Sequence, residues 1–500
     1  MEIASRHRLI VVGAVLAALV IGVASSEGSA GFVASAVLLG AAVFLAWGRW
    51  ARMETCVIAF VIVGYVIGNR GFAQLMPLPG LPLLFGELAL AMAGAAVVWR
   101  AAFEHRLPLR RDLLNGVLVV LILYGATRML VDGPRYGFAA VRDFATVYYI
   151  GFFFIAQELA RWPREGRLVL RAFVASAIIL PVVTLTFRTQ PDFFLQTLVF
   201  RDVPLIYLKE DLAATFLFAS ALLLLESPAR QRFGRWRWLA GALNLAVAGS
   251  LISRAAVAGL LGGLGVAAGA RRWRTLRLIL ILVPLLLMGA VVASWVQQEP
   301  WHESKAYAWY EHAVSLVDFD GRATYRNPES ADTGDNNRFR LIWWQTVAER
   351  VWAESPVFGL GFGHDLAAEF VQRYDRVGED FTVRSPHSIL FTVLGRMGWA
   401  GLVLWTLVLA VMLRQTMGVI RRARSDPTGP ATEVGLWCAC WVLMISACFG
   451  VVLEGPMGAV VFWTLLGLAH GWPTAITPAA PLPDRRTERW SRPEALSRVG

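Results

Sequence analysis

The feature that most limits what this chain can become is its series of apolar runs, each close to the ~20 residues an α-helix needs to cross a bilayer. They fall near 9–24, 30–47, 55–68, 82–99, 113–130, 139–158, 169–187, 206–225, 237–251, 253–270 and 276–295, then after a polar interval near 387–413, 433–453 and 456–472. Hydrocarbon offers no water to a bare backbone N–H or C=O, so spans of this kind must be helices. The expected fold is all-α and polytopic, with roughly 12–14 transmembrane helices and one large outer loop. Composition agrees, with 57% of the 500 residues hydrophobic and only 17% charged. The run at 55–68 is short, and 237–251 with 253–270 reads as two spans or as one broken unit. Leu9 to Ala24 follows a basic start and resembles a signal peptide, but so many spans come after it that an uncleaved first helix is expected.

These runs divide the chain into an N-terminal bundle (1–295), a polar loop with short helices (296–386), C-terminal helices (387–472) and a tail (473–500). The tail is rich in Pro and Arg and is expected to be disordered.

A net charge of +11 invites a nucleic-acid reading, and the placement of the charges opposes it. Arginines crowd every second connection: Arg49 and Arg52; Arg100 to Arg111; Arg161 to Arg171; Arg230 to Arg237; Arg271 to Arg277; Arg414 to Arg424. The alternate connections hold few: Arg70, Arg128, Arg135, Arg142, Arg188, Arg201, Lys209 and Arg254. This is the positive-inside pattern, and it predicts cytoplasmic termini with the 296–386 loop on the far side. The loop carries more acids than bases, opposite in sign to the inner connections. Within it 307–317 and 339–353 have helical spacing, and 322–337 reads as irregular. Cys56, Cys438, Cys440 and Cys448 all fall in spans and read as small apolar residues.

Candidate chemistry gathers between Asn337 and Gly401. Arg340 precedes Trp343 and Trp344 on a segment with helical spacing. A breaker-rich turn follows, Ser355-Pro356-Val357-Phe358-Gly359-Leu360-Gly361-Phe362-Gly363, and then Ser385-Pro386-His387-Ser388 opens the apolar run from Ile389. A histidine at the mouth of a span can face water on one side, where a proton-transfer group for a lipid-bound polar substrate has to act. The outer-side cations stand against the positive-inside tendency and each asks for a reason. Arg254, in Ser253-Arg254-Ala255, is the best candidate for a guanidinium fork on phosphate oxygens. Arg201 follows an amphipathic outer stretch. Lys209 could pair with Glu210 or Asp211, and Arg142 with Asp143. Arg396 falls on the helix face opposite His387 and reads as a packing or lipid-edge residue. Glu454, in a tight outer turn, could hold an arginine or contact a sugar hydroxyl. No histidine pair has metal-ligand spacing, no Walker loop occurs, and Gly359 to Gly363 reads as a turn. Neither metal nor cofactor is expected.

Taken in order, Ser253-Arg254, Arg340-Leu341-Ile342-Trp343-Trp344, Ser355 to Gly361, Pro386-His387-Ser388, Gly395 to Gly401 and Glu454-Gly455-Pro456 resemble the bacterial O-antigen ligase/polymerase family of membrane glycosyltransferases. Many members carry Asn where this chain has Ser388. The resemblance implies an inner-membrane enzyme. It would move a glycan from undecaprenyl diphosphate to an acceptor hydroxyl at the periplasmic face, without nucleotide or metal. In those terms His387 resembles the histidine that activates the acceptor; Arg254 and Arg201, with Arg340, resemble diphosphate-holding arginines; and Lys209, Arg142 and Glu454 are supporting candidates. A ligase acting on lipid A-core is favoured. A polymerase extending a growing glycan stays open, as does a transporter or flippase of lipid-linked glycans, although no internal repeat is visible.

Overall fold

The computed structural model describes residues 52–77, 82–226, 236–251, 253–296, 300–304, isolated positions between 307 and 325, 328–374, 384–426 and 430–476. The runs at 9–24 and 30–47, most of 307–317 and the tail from 477 lie outside these residues. Every apolar run from 55–68 onward falls on a helix. In order they are α1 (Met53–Val63), α2 (Arg70–Gln74), α3 (Phe85–Phe103), α4 (Leu113–Tyr136), α5 (Phe138–Asp143), α6 (Ala145–Tyr148), α7 (Gly151–Ala160), α8 (Pro163–Thr189), α9 (Glu210–Glu226), α10 (Trp236–Ser250), α11 (Arg254–Gly269) and α12 (Trp273–Val296). The loop contributes α13 (Pro328–Glu354) and α14 (Ala368–Tyr374); α15 (Ile389–Ser425), α16 (Ala431–Cys448) and α17 (Pro456–Ile476) close the bundle. Among the described residues, six helical stretches are long and apolar enough to cross a membrane, while Met53–Gly68 and Arg254–Gly269 are shorter apolar helices. The chain is an all-α polytopic membrane protein. Among the described residues the one small sheet is a hairpin of β1 (Val199–Phe200) and β2 (Val203–Pro204).

Local chemistry sets the helix ends. Asp112 caps α4 by accepting from the Asn115 N–H at 3.0 Å, and Ser253 caps α11 by accepting from the Ala256 N–H at 3.4 Å. Pro163 opens α8, where a missing N–H costs nothing. Helices α10 and α11 are separate elements, and each packs against α9. Arg188 donates to the Ser250 carbonyl where α10 ends (3.2 Å), and Arg424 donates to the Gly269 carbonyl at the far end of α11 (2.7 Å). Helix α13 begins at Pro328, so the stretch read as irregular is helical over its second half.

The connections meet on two faces. On one, the basic face, partly buried arginines pair with buried acids: Arg100 with Glu54, Arg106 with Glu158 at 2.5 Å and Arg272 with Glu226 at 3.2 Å. The other, the loop face, carries α13 and α14 with a small core of their own. Trp343 is fully buried there and stacks on Phe370 at 4.7 Å, with Phe339, Val347, Val351 and Leu366 around them and Leu394 of α15 beneath.

A strap over residues 355–365 ties that loop to the bundle. Gly359, Gly361 and Gly363 all have positive φ (+73°, +100°, +87°). Helix α15 breaks at Gly398 (φ +65°), and the strap and helix touch backbone to backbone there. Trp399 N–H donates to the Pro356 carbonyl at 2.9 Å and Leu360 N–H to the Gly395 carbonyl at 2.7 Å. Carboxylates from α4 and α5 receive the strap's other amides, with Phe362 N–H on Asp132 at 2.7 Å and Gly363 N–H on Asp143 at 2.8 Å. Arg396 is 3% exposed. It donates to the Gly361 carbonyl at 3.2 Å and to that of His364, and pairs with Asp143 at 2.8 Å. It is therefore a packing residue rather than a lipid-edge one. Asp143 answers Arg396 instead of its neighbour Arg142, because burial rewards pairing an enclosed guanidinium far more than an exposed one.

Candidate functional site

Helices α9, α11, α15 and α17 all begin at the loop face, and each packs against α16. Their N-terminal ends therefore present unsatisfied N–H groups and partial positive charge on the same side. The residues just before or at those starts are Lys209, Arg254, His387 and Glu454, which is how chain segments far apart in sequence deliver one cluster.

A cleft of ≈ 240 Å³ opens there, lined by Glu210, Asp211, Ser253, Arg254 and Arg340. Its acids are already answered by cations, Glu210 by Arg188 at 3.3 Å and Asp211 by Lys209 at 3.2 Å. Arg340 reaches the cleft from α13. Its Nε is buried with no hydrogen-bond partner among the described residues. Burial holds its pKa below the ordinary arginine value, and Asp211 opposes that only in part. A guanidinium remains charged nonetheless. The Tyr325 hydroxyl, which donates to Asp318 at 2.8 Å, sits within the field of Arg254.

His387 lies beside this cleft. Its backbone is left-handed, φ +54°, a conformation that costs a non-glycine residue of order 1–3 kcal/mol and persists only where neighbours enforce it. Here they do. Trp344 Nε1–H donates to the Pro386 carbonyl at 2.7 Å and stacks on Phe391 at 5.0 Å, and the His387 ring rests 6.0 Å from the rings of both Phe339 and Trp343. Glu454 braces the same corner, accepting from the Thr392 hydroxyl at 2.6 Å rather than gripping an arginine. Burial pushes its carboxyl up. Burial, then Arg340, then Lys209, push the His387 imidazole down to about 4, with Asp211 opposing. The ring is neutral at pH 7 and well away from its ordinary value.

The structure thus gathers Arg254, Arg340, Lys209 and His387. Arg201 stands apart: with Asp202 it forms the exposed two-residue tip of the β1–β2 hairpin, both at positive φ (+50°, +64°), its guanidinium 5.2 Å above the Phe200 ring. Arg142 is exposed on α5, with no described contact to the cleft.

Sequence reasoning missed Asn69. It is fully buried at φ +53°, and its side-chain oxygen accepts from the Lys209 N–H at 3.1 Å, fixing the segment that carries Lys209. A lone asparagine between apolar runs gives no signal of such a role.

No curated protein matches the chain significantly. Residues 239–406 match the family model described as Wzy_C, O-antigen ligase. That span contains Arg254, Arg340, the strap and His387; Arg201, Lys209 and Glu454 fall outside it. Over that span, about a third of its length, the chain is similar to the O-antigen ligase family.

Proposed function

We propose that the chain transfers a glycan from a lipid diphosphate to an acceptor hydroxyl at the loop face, with the donor's diphosphate in the Arg254–Arg340 cleft and His387 at the reacting oxygen. The observation that carries this reading is the joint lining of one small cleft by two guanidinia, with a neutral, conformationally fixed imidazole beside it. His387 accepts the proton as the acceptor oxygen attacks the anomeric carbon. The bond from that carbon to the diphosphate breaks, and its electron pair leaves on a phosphate oxygen. Charge grows on the leaving group, so fixed cations favour the transition state over the bound donor. An imidazole held near 4 is a weak base in the free protein. A dianion seated against Arg340 offsets one of the fields that depress it, so donor binding itself raises the basicity of His387.

In this reading the donor is an undecaprenyl-diphosphate-linked glycan, the loop face is periplasmic, and no metal or nucleotide takes part. Ligation to lipid A-core is the favoured outcome. The test is transfer by purified protein with undecaprenyl-diphosphate glycan and lipid A-core, with chelator and without nucleotide, run beside His387→Ala at equal expression. Capped lipid A from wild type alone supports the reading, and longer lipid-linked chains point to polymerisation. No product, with the lipid-linked glycan instead crossing vesicle membranes, leaves a transporter.

A further inference from the structure

A second pocket on the loop face, ≈ 330 Å³, lies between the end of α4, the strap and α13, and its polar lining includes Arg135, Tyr136, Arg350, His364, Asp365 and Glu369. That volume reaches the lower end of small-molecule sites, ~300 Å³. We propose that this pocket is a saccharide subsite that holds a neutral sugar residue of a glycan chain away from the point of transfer. The inference rests on the reading above only in taking the substrate to be a glycan.

Charge balance selects the ligand class. Arg350 is engaged by Glu354 at 2.6 Å and by Glu369, and Asp365 lies on the same rim, so the pocket offers an anion no surplus of positive charge. This is the reverse of the Arg340 cleft. Burial, then Arg396, hold His364 below its ordinary pKa, which leaves it neutral. What remains is a mixed array of donors and acceptors beside an aromatic ring, with the Tyr136 hydroxyl 3.4 Å from His364 Nδ1. Sugar hydroxyls both donate and accept and carry no charge, and their C–H faces lie flat on aromatic rings. A purely apolar ligand would strand these polar groups.

Position supports the same reading. Arg340 and Arg350 stand on one helix, α13, and a rise of ~1.5 Å per residue separates them by about 15 Å along its axis. A glycan whose reducing-end diphosphate occupies the cleft, or an acceptor glycan approaching His387, is long enough to lie across both. The strap glycines fix the floor. A side chain at Gly361 would collide with the Asp132 carboxylate and one at Gly363 with Tyr136, so the pocket is built into the latch between loop and bundle.

The test uses the full chain in nanodiscs and ligand-observed saturation-transfer NMR. The probes are the oligosaccharide repeat released by mild acid from the lipid-linked donor and, separately, inorganic pyrophosphate. Arg135→Ala and Tyr136→Phe are compared with wild type; neither residue belongs to the diphosphate cleft. Each variant is expected to bind the oligosaccharide about fivefold more weakly, the share of one net hydrogen bond, with pyrophosphate binding unchanged. In transfer assays KM for the glycan rises while kcat holds. A rise seen with the donor varied makes this a donor subsite, and one seen only with the acceptor varied makes it an acceptor subsite. Equal oligosaccharide binding by wild type and both variants overturns the proposal, even if transfer proceeds. Weakened binding in a protein that transfers nothing sustains the subsite and removes the transferase reading instead.

Discussion

Arg254 and Arg340 line the same cleft, and their proposed grip on phosphate is geometric as much as electrostatic. A planar fork makes two parallel hydrogen bonds that an ammonium cannot reproduce. Arg254→Lys is therefore expected to lower kcat/KM about ten- to a hundredfold despite its retained charge, the worth of one charge-assisted hydrogen bond. Wild-type kinetics in that variant remove Arg254 from the site. His387 gives a pH prediction with a definite sign. Its folded pKa, about 4, lies below the ordinary ~6.5. Between those values the unfolded chain binds the proton and the folded chain does not, so this group costs stability as pH falls through that window. For activity, the acid limb of kcat/KM should sit near 4, leaving the rate at pH 5.5 almost undiminished; an unshifted histidine would lose about tenfold there. Arg340→Gln should move the limb upward but not to 6.5, since burial is the larger cause.

At the scale of elements, the strap and the broken α15 depend on each other. Gly359 has a φ that an L-residue resists, and a Cβ there would overlap the Gly398 nitrogen across the contact. Gly359→Ala is expected to cost about 1–3 kcal/mol from backbone strain alone, read as a lower thermal midpoint in detergent, with further loss from the overlap. Asp143→Ala leaves Arg396 buried without its carboxylate, a change of about 3–5 kcal/mol for an enclosed ion pair. Because the strap forms the floor under the loop, this variant should also loosen α13, which amide exchange across 339–354 measures. Unchanged exchange with a lowered midpoint would show that the latch and α13 are independent.

At the scale of the whole molecule, helices α9, α11, α15 and α17 start at one face, and the arginine-rich connections meet on the other. In the orientation we propose, which the charge bias favours, the loop face points outward. An impermeant maleimide added to intact spheroplasts should label Trp352→Cys on exposed α13 and label Glu104→Cys, at the basic face, only after lysis; the reverse pattern inverts the topology and puts the proposed chemistry on the wrong side. The native cysteines are buried or partly buried, so their background is low. Sequence alone settled a great deal here. Span length and hydropathy dictate helices because hydrocarbon forbids any other backbone, and the alternation of arginine between connections dictates which ends share a side. As proposed site residues, His387 and Arg254 stood out because a charged or titratable group at a span's mouth contrasts with its apolar flanks, while Arg340 on the polar loop was marked only as the cation before Trp343 and Trp344. What the sequence could not decide was pairing. Asp143 sits next to Arg142 in the chain yet answers Arg396; Glu454 meets Thr392; Asn69 holds the segment of Lys209; and the depressed His387 pKa comes from cations on two other elements. Each of these depends on which helices pack together, and packing between apolar helices is set by the fit of side chains and close-approach glycines, which no local pattern along the chain encodes.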